Sequence, residues 1–194
     1  MNVRHLVIGI VSGVALLGAS VVQAQDSSAV PFRIKNIRKE LVKAPSYQTS
    51  GAELGGRTAS LYQDWLKIEV EFESRPVWAD DVQVKFFVLL GDAREEKLFS
   101  GEVAHVNVQK GSQHFTAMFV HPNTVQRFGR GRVTAVAVQL FYQGKLIDQL
   151  SDPKSTVRWW EKYSPVPGYV LNPLQSPWSV IATERYEPIK AATP

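Results

Sequence analysis

Trp65-Leu66-Lys67-Ile68-Glu69-Val70-Glu71-Phe72-Glu73 is the stretch on which the fold turns. Leu66, Ile68, Val70 and Phe72 fall on one side of an extended chain, and Lys67, Glu69, Glu71 and Glu73 on the other. Alternation of period two marks a half-buried strand. A sheet with one wet face is typically antiparallel. Arg75-Pro76 is expected to end this strand.

The pattern continues in both directions. Upstream, Pro31 to Lys39 alternates apolar and basic residues and slips register near Asn36, which predicts a bulge. Residues Ala44 to Ser60 are rich in Ser, Thr and Gly and read as a loop. Downstream, Val82 to Leu90 places Val82, Val84, Phe86, Val88 and Leu90 on one face. Its other face turns apolar at Phe87 and Leu89, so something must cover that end. Gly91-Asp92 marks a turn, Lys97 to Val108 a strand bent at Gly101, and Lys110-Gly111 a hairpin turn. Gln113 to His121 then returns with Phe115, Ala117 and Phe119 inward.

Pro122 to Phe128 reads as a short helix, with Pro at its first position, Gly129 just past its end and His121 as its cap. Such a crossing suits a chain passing between the sheets of an immunoglobulin-like domain. Gly131 to Tyr142 reads as the longest strand, Val-rich and nearly apolar on both faces, and so should be central; Gln143-Gly144 turns the chain, and Lys145 to Leu150 pairs back. The fold class expected is all-β: an immunoglobulin-like two-sheet antiparallel sandwich of seven or eight strands. It carries one or two short helices and an extended, Pro- and aromatic-rich C-terminal segment. A closed barrel is the alternative.

The two ends differ from this body. Residues 1–24 join a basic start (Arg4, His5), an apolar run from Leu6 to Ala19 and the small-residue exit Val22-Gln23-Ala24. This is a secretory signal pattern, with cleavage expected between Ala24 and Gln25. A retained anchor is the competing reading, although a spanning helix wants about 20 apolar residues. Residues 25–30 form a short tether and 31–190 the domain. At the other end, Asp152-Pro153 is expected to start a helix carrying Trp159, Trp160 and Tyr163. Ser164 to Pro173 holds too many prolines for a helix or inner strand. Trp178, Ile181, Tyr186 and Ile189 continue the apolar theme, so the segment should pack along the sandwich, against Phe87 and Leu89.

Chemistry is sparse. The 194 residues contain no cysteine, which excludes thiol nucleophiles, thiolate metal sites and cysteine-borne lipid anchors. The formal charge of +4 is spread among eighteen acids and forms no block, so no nucleic-acid partner is expected. G-x-S-x-G, H-E-x-x-H and phosphate-loop motifs are missing from the sequence. A hairpin near Lys110 would bring His105 and His114 side by side, as exposed strand residues or as the start of a metal site. Asp80-Asp81 and Glu95-Glu96 read as turn residues. Arg127-Phe128-Gly129-Arg130-Gly131-Arg132 reads as a solvated loop or as a trap for an acidic glycan or pilus surface. Trp159, Trp160, Tyr163, Tyr169, Trp178 and Tyr186 are the candidate interaction surface; their alternative is core. No catalytic residue, metal ligand or cofactor is expected.

The run from Trp159 to Asn172, with Pro177-Trp178 and Glu184-Arg185-Tyr186-Glu187, resembles a family of small exported Verrucomicrobial proteins of the Akkermansia type. The best-known member of that family, from Akkermansia, is encoded beside type IV pilus-like genes. The likeness runs from about Val30 to Lys190 and carries no active-site motif. It implies an immunoglobulin-like sandwich at a pilus or cell surface. No apolar stem follows Ala24, which favours an accessory role over a polymerising one.

The expectation is therefore a non-enzymatic exported protein of a pilus-like or envelope assembly. It would act by strand addition at a sheet edge or by docking its tail aromatics. Its partners would be envelope or pilus-like proteins, its own copies, or a surface glycan. The membrane would be met only through the transient leader. Periplasm, outer-membrane surface and extracellular pilus are all open. A secreted carbohydrate-binding module is the alternative, and a hydrolase with a scattered site the third reading.

Overall fold

Two facing sheets form the body of the computed structural model, which describes residues 30–45, 64–92 and 95–191. The leader with its Ala24–Gln25 junction, nearly all of the tether and most of the Ala44–Ser60 loop lie outside those residues.

One sheet has the order β1-β2-β5-β9: β1 (Phe32–Lys43), β2 (Asp64–Ala79), β5 (Val108–Val120) and β9 (Val170–Leu171). The other has the order β7-β6-β3-β4-β8: β7 (Lys145–Asp152), β6 (Ala135–Tyr142), β3 (Val82–Asp92), β4 (Glu95–His105) and β8 (Val166–Pro167). The sheets stay separate, so the fold is a β-sandwich and not a barrel. Helix α1 (Pro122–Gly129) carries the chain from β5 to β6, that is, from one sheet to the other. The His121 Nδ1 accepts from the Asn123 N–H, as a cap should.

The interior follows the alternation. Ile68, Val70 and Phe72 of β2 meet Val84, Phe86 and Val88 of β3, and all six are fully buried. Each such side chain contributes roughly 1.5–3 kcal/mol of burial. The bulge near Asn36 is present, as a register shift between Ile34 and Asn36. Outside, Lys35–Glu71 at 2.9 Å and Lys67–Glu40 at 2.7 Å tie β1 to β2.

Several expectations change. The strand that Arg75-Pro76 was to end runs on to Ala79. Its pairing with β5 shifts on both sides of Ser74, and Pro76 sits in that irregular stretch where no ladder donor is needed. The turn expected at Lys110-Gly111 lies instead at Val106–Asn107, where Asn107 takes φ 55°, a conformation Asn tolerates. Its N–H donates to Asp80 Oδ1 at 2.8 Å. Consequently β4 and β5 form no hairpin but belong to different sheets. Phe115, Ala117 and Phe119 face away from the sandwich interior, which is filled by Met118 and Val120. The outer face of β5 is apolar because the tail roofs it. Helix α1 includes Gly129, and Arg130 takes the left-handed position after it at φ 48°. Asp152 caps no helix: β7 pairs with β6 through Val136–Asp152. The expected helix shrinks to one 3-10 turn, Trp159–Lys162.

Candidate functional site

The tail stitches the sandwich shut along β4 and β5. Val166 and Pro167 pair parallel to Phe99 and Ser100 of β4. Val170 and Leu171 then pair with Val120 and Phe119 of β5. The crossing presses the Val170 carbonyl onto Gly101, where a Cβ would sit 2.4 Å from that oxygen, so only glycine fits. After helix α2 (Ala182–Arg185), the chain returns between the two strands. Glu187 donates to the Phe115 carbonyl, Pro188 accepts from Val106, and Lys190 donates to the Ala104 carbonyl. The opposite side is closed by side chains: the Ile34 N–H reaches Asp148 Oδ2 at 2.7 Å, and Lys39 pairs with Asp152 at 3.1 Å. The tail thus covers part of the β4 and β5 edges, while the outer edges of β1 and β7 carry no strand partner among the described residues.

The six tail aromatics do not form one surface. Trp160, 5% exposed, stacks on Phe87 and joins Leu89, Leu98 and Ala137 on the outer face of the five-stranded sheet. This is the cover that Phe87 and Leu89 called for. Trp159 and Tyr163 lean on the same cluster, and the Tyr163 hydroxyl donates to Glu96, which raises its pKa. Trp178, 9% exposed, stacks on Phe119 at 4.4 Å across the outer face of the four-stranded sheet, beside Tyr186. Tyr169 stands apart, against Phe99 and Phe128. Trp160, Trp178 and Tyr186 are spent inside the molecule. The exposed tryptophan is Trp78, 57% accessible beside Val77, in the part of β2 beyond Pro76 that the sequence reading had ended.

A charged network lies under the tail. Glu69 was expected on the wet face of its strand, yet it is 3% exposed. Arg185 donates to both its oxygens at 2.8 Å, Lys67 sits 3.2 Å away, and the Tyr186 hydroxyl lies at 3.4 Å. Burial alone would raise the Glu69 carboxyl. The hydrogen bonds and charges of Arg185 and Lys67 outweigh it and hold the group below the ordinary carboxylate range. No local sequence signal marks this pairing, because its partners are separated by 116 residues.

The two histidines meet, though not across a hairpin and not in water. His105 in one sheet and His114 in the other both converge on Glu187. His105 uses Nδ1 on the Glu187 and Pro188 carbonyls and Nε2 on Thr116 Oγ1 at 2.8 Å. Burial pushes its pKa down to about 4. His114 Nδ1 sits 2.8 Å from Glu187 Oε1. With both nitrogens of His105 engaged, the pair fastens the tail. Among the described residues no group of three or more His, Asp or Glu is placed to hold an ion. No described helix is long and apolar enough to cross a membrane.

One open feature among the described residues is at the end of the sandwich beside Asp92, Glu95 and the last turn of α1. There a cleft of about 630 Å³ is lined by Lys97, Arg127, Phe128, Arg130 and Arg132, with Asp92 and Glu95 among them. The Arg127 guanidinium lies 4.7 Å and the Lys97 ammonium 5.1 Å from the centre of the Phe128 ring. Arg130 reaches Asp92 at 3.3 Å. Tyr169 meets Phe128 edge-on at 6.0 Å, so one of the six tail aromatics abuts this site without lining it. The Arg-rich run that the sequence left as either loop or trap is therefore gathered around a ring in a cleft.

Comparison with known proteins agrees with the fold. A family model matches residues 23–193. A crystal structure from Akkermansia muciniphila is similar with a TM-score of 0.70 and 23% identity, over 84% of this chain and 94% of that one. Comparison with curated proteins returns no match.

Proposed function

Because the chain belongs to the Akkermansia-type family, whose model spans residues 23–193, we propose that it is a non-enzymatic, exported component of a cell-envelope or pilus-like assembly that works by protein–protein contact. The observation that carries this reading is the division of its surface. The tail covers part of each outer face and lies along β4 and β5, while the cationic cleft beside α1 stays open. Export is supported by the leader pattern of residues 1–24. Docking through the tail aromatics gives way to contact at the cleft, because Trp160, Trp178 and Tyr186 are already engaged within the molecule; strand addition at the β1 or β7 edge is the second route. A saccharide-stacking module would need an open aromatic platform; Trp160 and Trp178 are buried, which leaves the exposed Trp78 as the indole such a module would use. A photo-crosslinking residue at position 132, in cells of the source organism, should trap a defined envelope protein that the same probe at Val157 misses. Equal labelling at both positions, or turnover of a substrate by the purified chain, would overturn the reading.

A further inference from the structure

Resting on that contact reading, we infer that the cleft beside α1 holds an acidic polypeptide segment of the partner, with carboxylate side chains set between apolar ones. Three features lead there. The first is charge. Lys97, Arg127, Arg130 and Arg132 face only Asp92 and Glu95 among the described cleft residues. Of the three arginines, Arg130 alone has a carboxylate partner among those residues. The Phe128 ring holds Arg127 and Lys97 in position without neutralising them. A guanidinium fork matches a carboxylate in two parallel hydrogen bonds.

The second is preorganisation. Arg130 and Gly131 adopt φ 48° and 79°, and their N–H groups close the helix on Gln126 and Val125. The Arg132 N–H donates to the Gly129 carbonyl. The three arginines therefore hang from a fixed helix end, whose negative dipole favours cations. The backbone is already ordered, so binding has only the exposed arginine side chains to order.

The third separates a peptide from an anionic saccharide. Sugars stack on open ring faces, and Phe128 already carries two cations. Asp92 and Glu95 would repel a uniform polyanion but tolerate a chain of mixed charge. Tyr169, 36% exposed and packed against Phe128, extends an apolar surface beyond the cleft for a side chain between the carboxylates.

The test uses the full exported chain and a short labelled peptide in which Glu alternates with Leu and Phe, read by fluorescence anisotropy. The control peptide carries Gln for every Glu, and oligogalacturonate is the saccharide arm. The acidic peptide should bind at least about tenfold more tightly than its Gln counterpart. Binding should weaken several-fold between about 50 and 200 mM salt. Arg132→Gln should weaken it about three- to tenfold at unchanged melting temperature, and the triple change R127Q/R130Q/R132Q should abolish it. Should the triple variant fail to fold, Arg132→Gln alone decides, since that side chain is exposed and unpaired among the described residues. Equal binding of the Gln peptide, indifference to Arg132→Gln, or tighter binding of oligogalacturonate would each overturn the inference. If it falls while crosslinking at position 132 still traps an envelope protein, the contact reading survives and only the acidic segment is lost.

Discussion

Among the described residues, two places set an arginine over a phenylalanine, and they end in opposite states. Arg185 lies 5.0 Å from the centre of the Phe115 ring and closes on both oxygens of Glu69. Arg127 lies 4.7 Å from the Phe128 ring and has no carboxylate partner among the described residues. The ingredients match, so composition does not distinguish them. The counter-ion does. Where a buried carboxylate waits on the sheet below, the cation becomes a latch for the tail. Where none waits, it stays in water and available. The tail region should therefore govern stability, and the cleft region should govern binding.

The most severe way to break the latch side is Trp178→Ala. The indole stacks on Phe119 and meets Trp65 edge-on, so its removal opens a hole beneath α2. The expected loss is about 3–5 kcal/mol, read as a lower urea midpoint. A loss below about 1 kcal/mol would mean that the tail does not roof the four-stranded sheet.

Acid attacks the same region next. His105 is buried neutral and titrates at about 4 in the fold, against an ordinary value of 6.5. Between those values the unfolded chain binds the proton and the folded chain does not, so stability rises with pH there. The contribution is complete above about pH 6.5 and lost as pH falls toward 4, amounting to about 3 kcal/mol. Urea midpoints across that window should show the slope, and His105→Gln should flatten it. A slope unchanged in that variant would place the acid sensitivity elsewhere.

What was legible in the sequence follows from the range of the forces involved. Alternation in β2 and β3, the slip at Asn36, the Gln143-Gly144 turn and the His121 cap are set by neighbours along the chain, and each is found where the pattern puts it. The cover over Phe87 and Leu89 was legible as a demand, since an apolar outer face must meet something. The misreadings share a different cause. Glu69 looked like a wet-face residue because its partner is 116 residues away. Phe115, Ala117 and Phe119 looked inward because the tail supplies a second apolar environment. Lys110-Gly111 looked like a turn, yet Gly111 instead leaves room for the His114 ring, whose Nε2 would lie 2.7 Å from an added Cβ. The cleft was half legible: the Arg-Phe-Gly-Arg-Gly-Arg run was evident, but its meeting with Lys97 and Tyr169 depends on the fold.

Glu69→Gln sharpens the comparison from within the latch. It keeps the shape and removes the charge, so Arg185 loses its counter-ion while remaining able to rehydrate through its exposed half. That exposure lowers the cost, and about 1–2 kcal/mol is expected by chemical denaturation. Proteolysis should also cut the chain sooner near Arg185. An unchanged cleavage rate would show that the aromatic contacts alone hold the tail.

Arg132→Gln is the mildest change and the most telling counterpart. Arg132 is exposed and follows a helix end closed by backbone hydrogen bonds, none of which uses its guanidinium. Its loss should shift stability by no more than about 0.5 kcal/mol. If the same substitution lowered stability as Glu69→Gln does, the two arginine–phenylalanine pairs would be the same kind of structural element, and the cleft would lose its distinction from the latch. If stability holds while acidic-peptide binding drops, an unmatched cation over a ring marks the contact surface and a matched one marks the clasp. The missing counter-ion would then be the feature that the partner supplies.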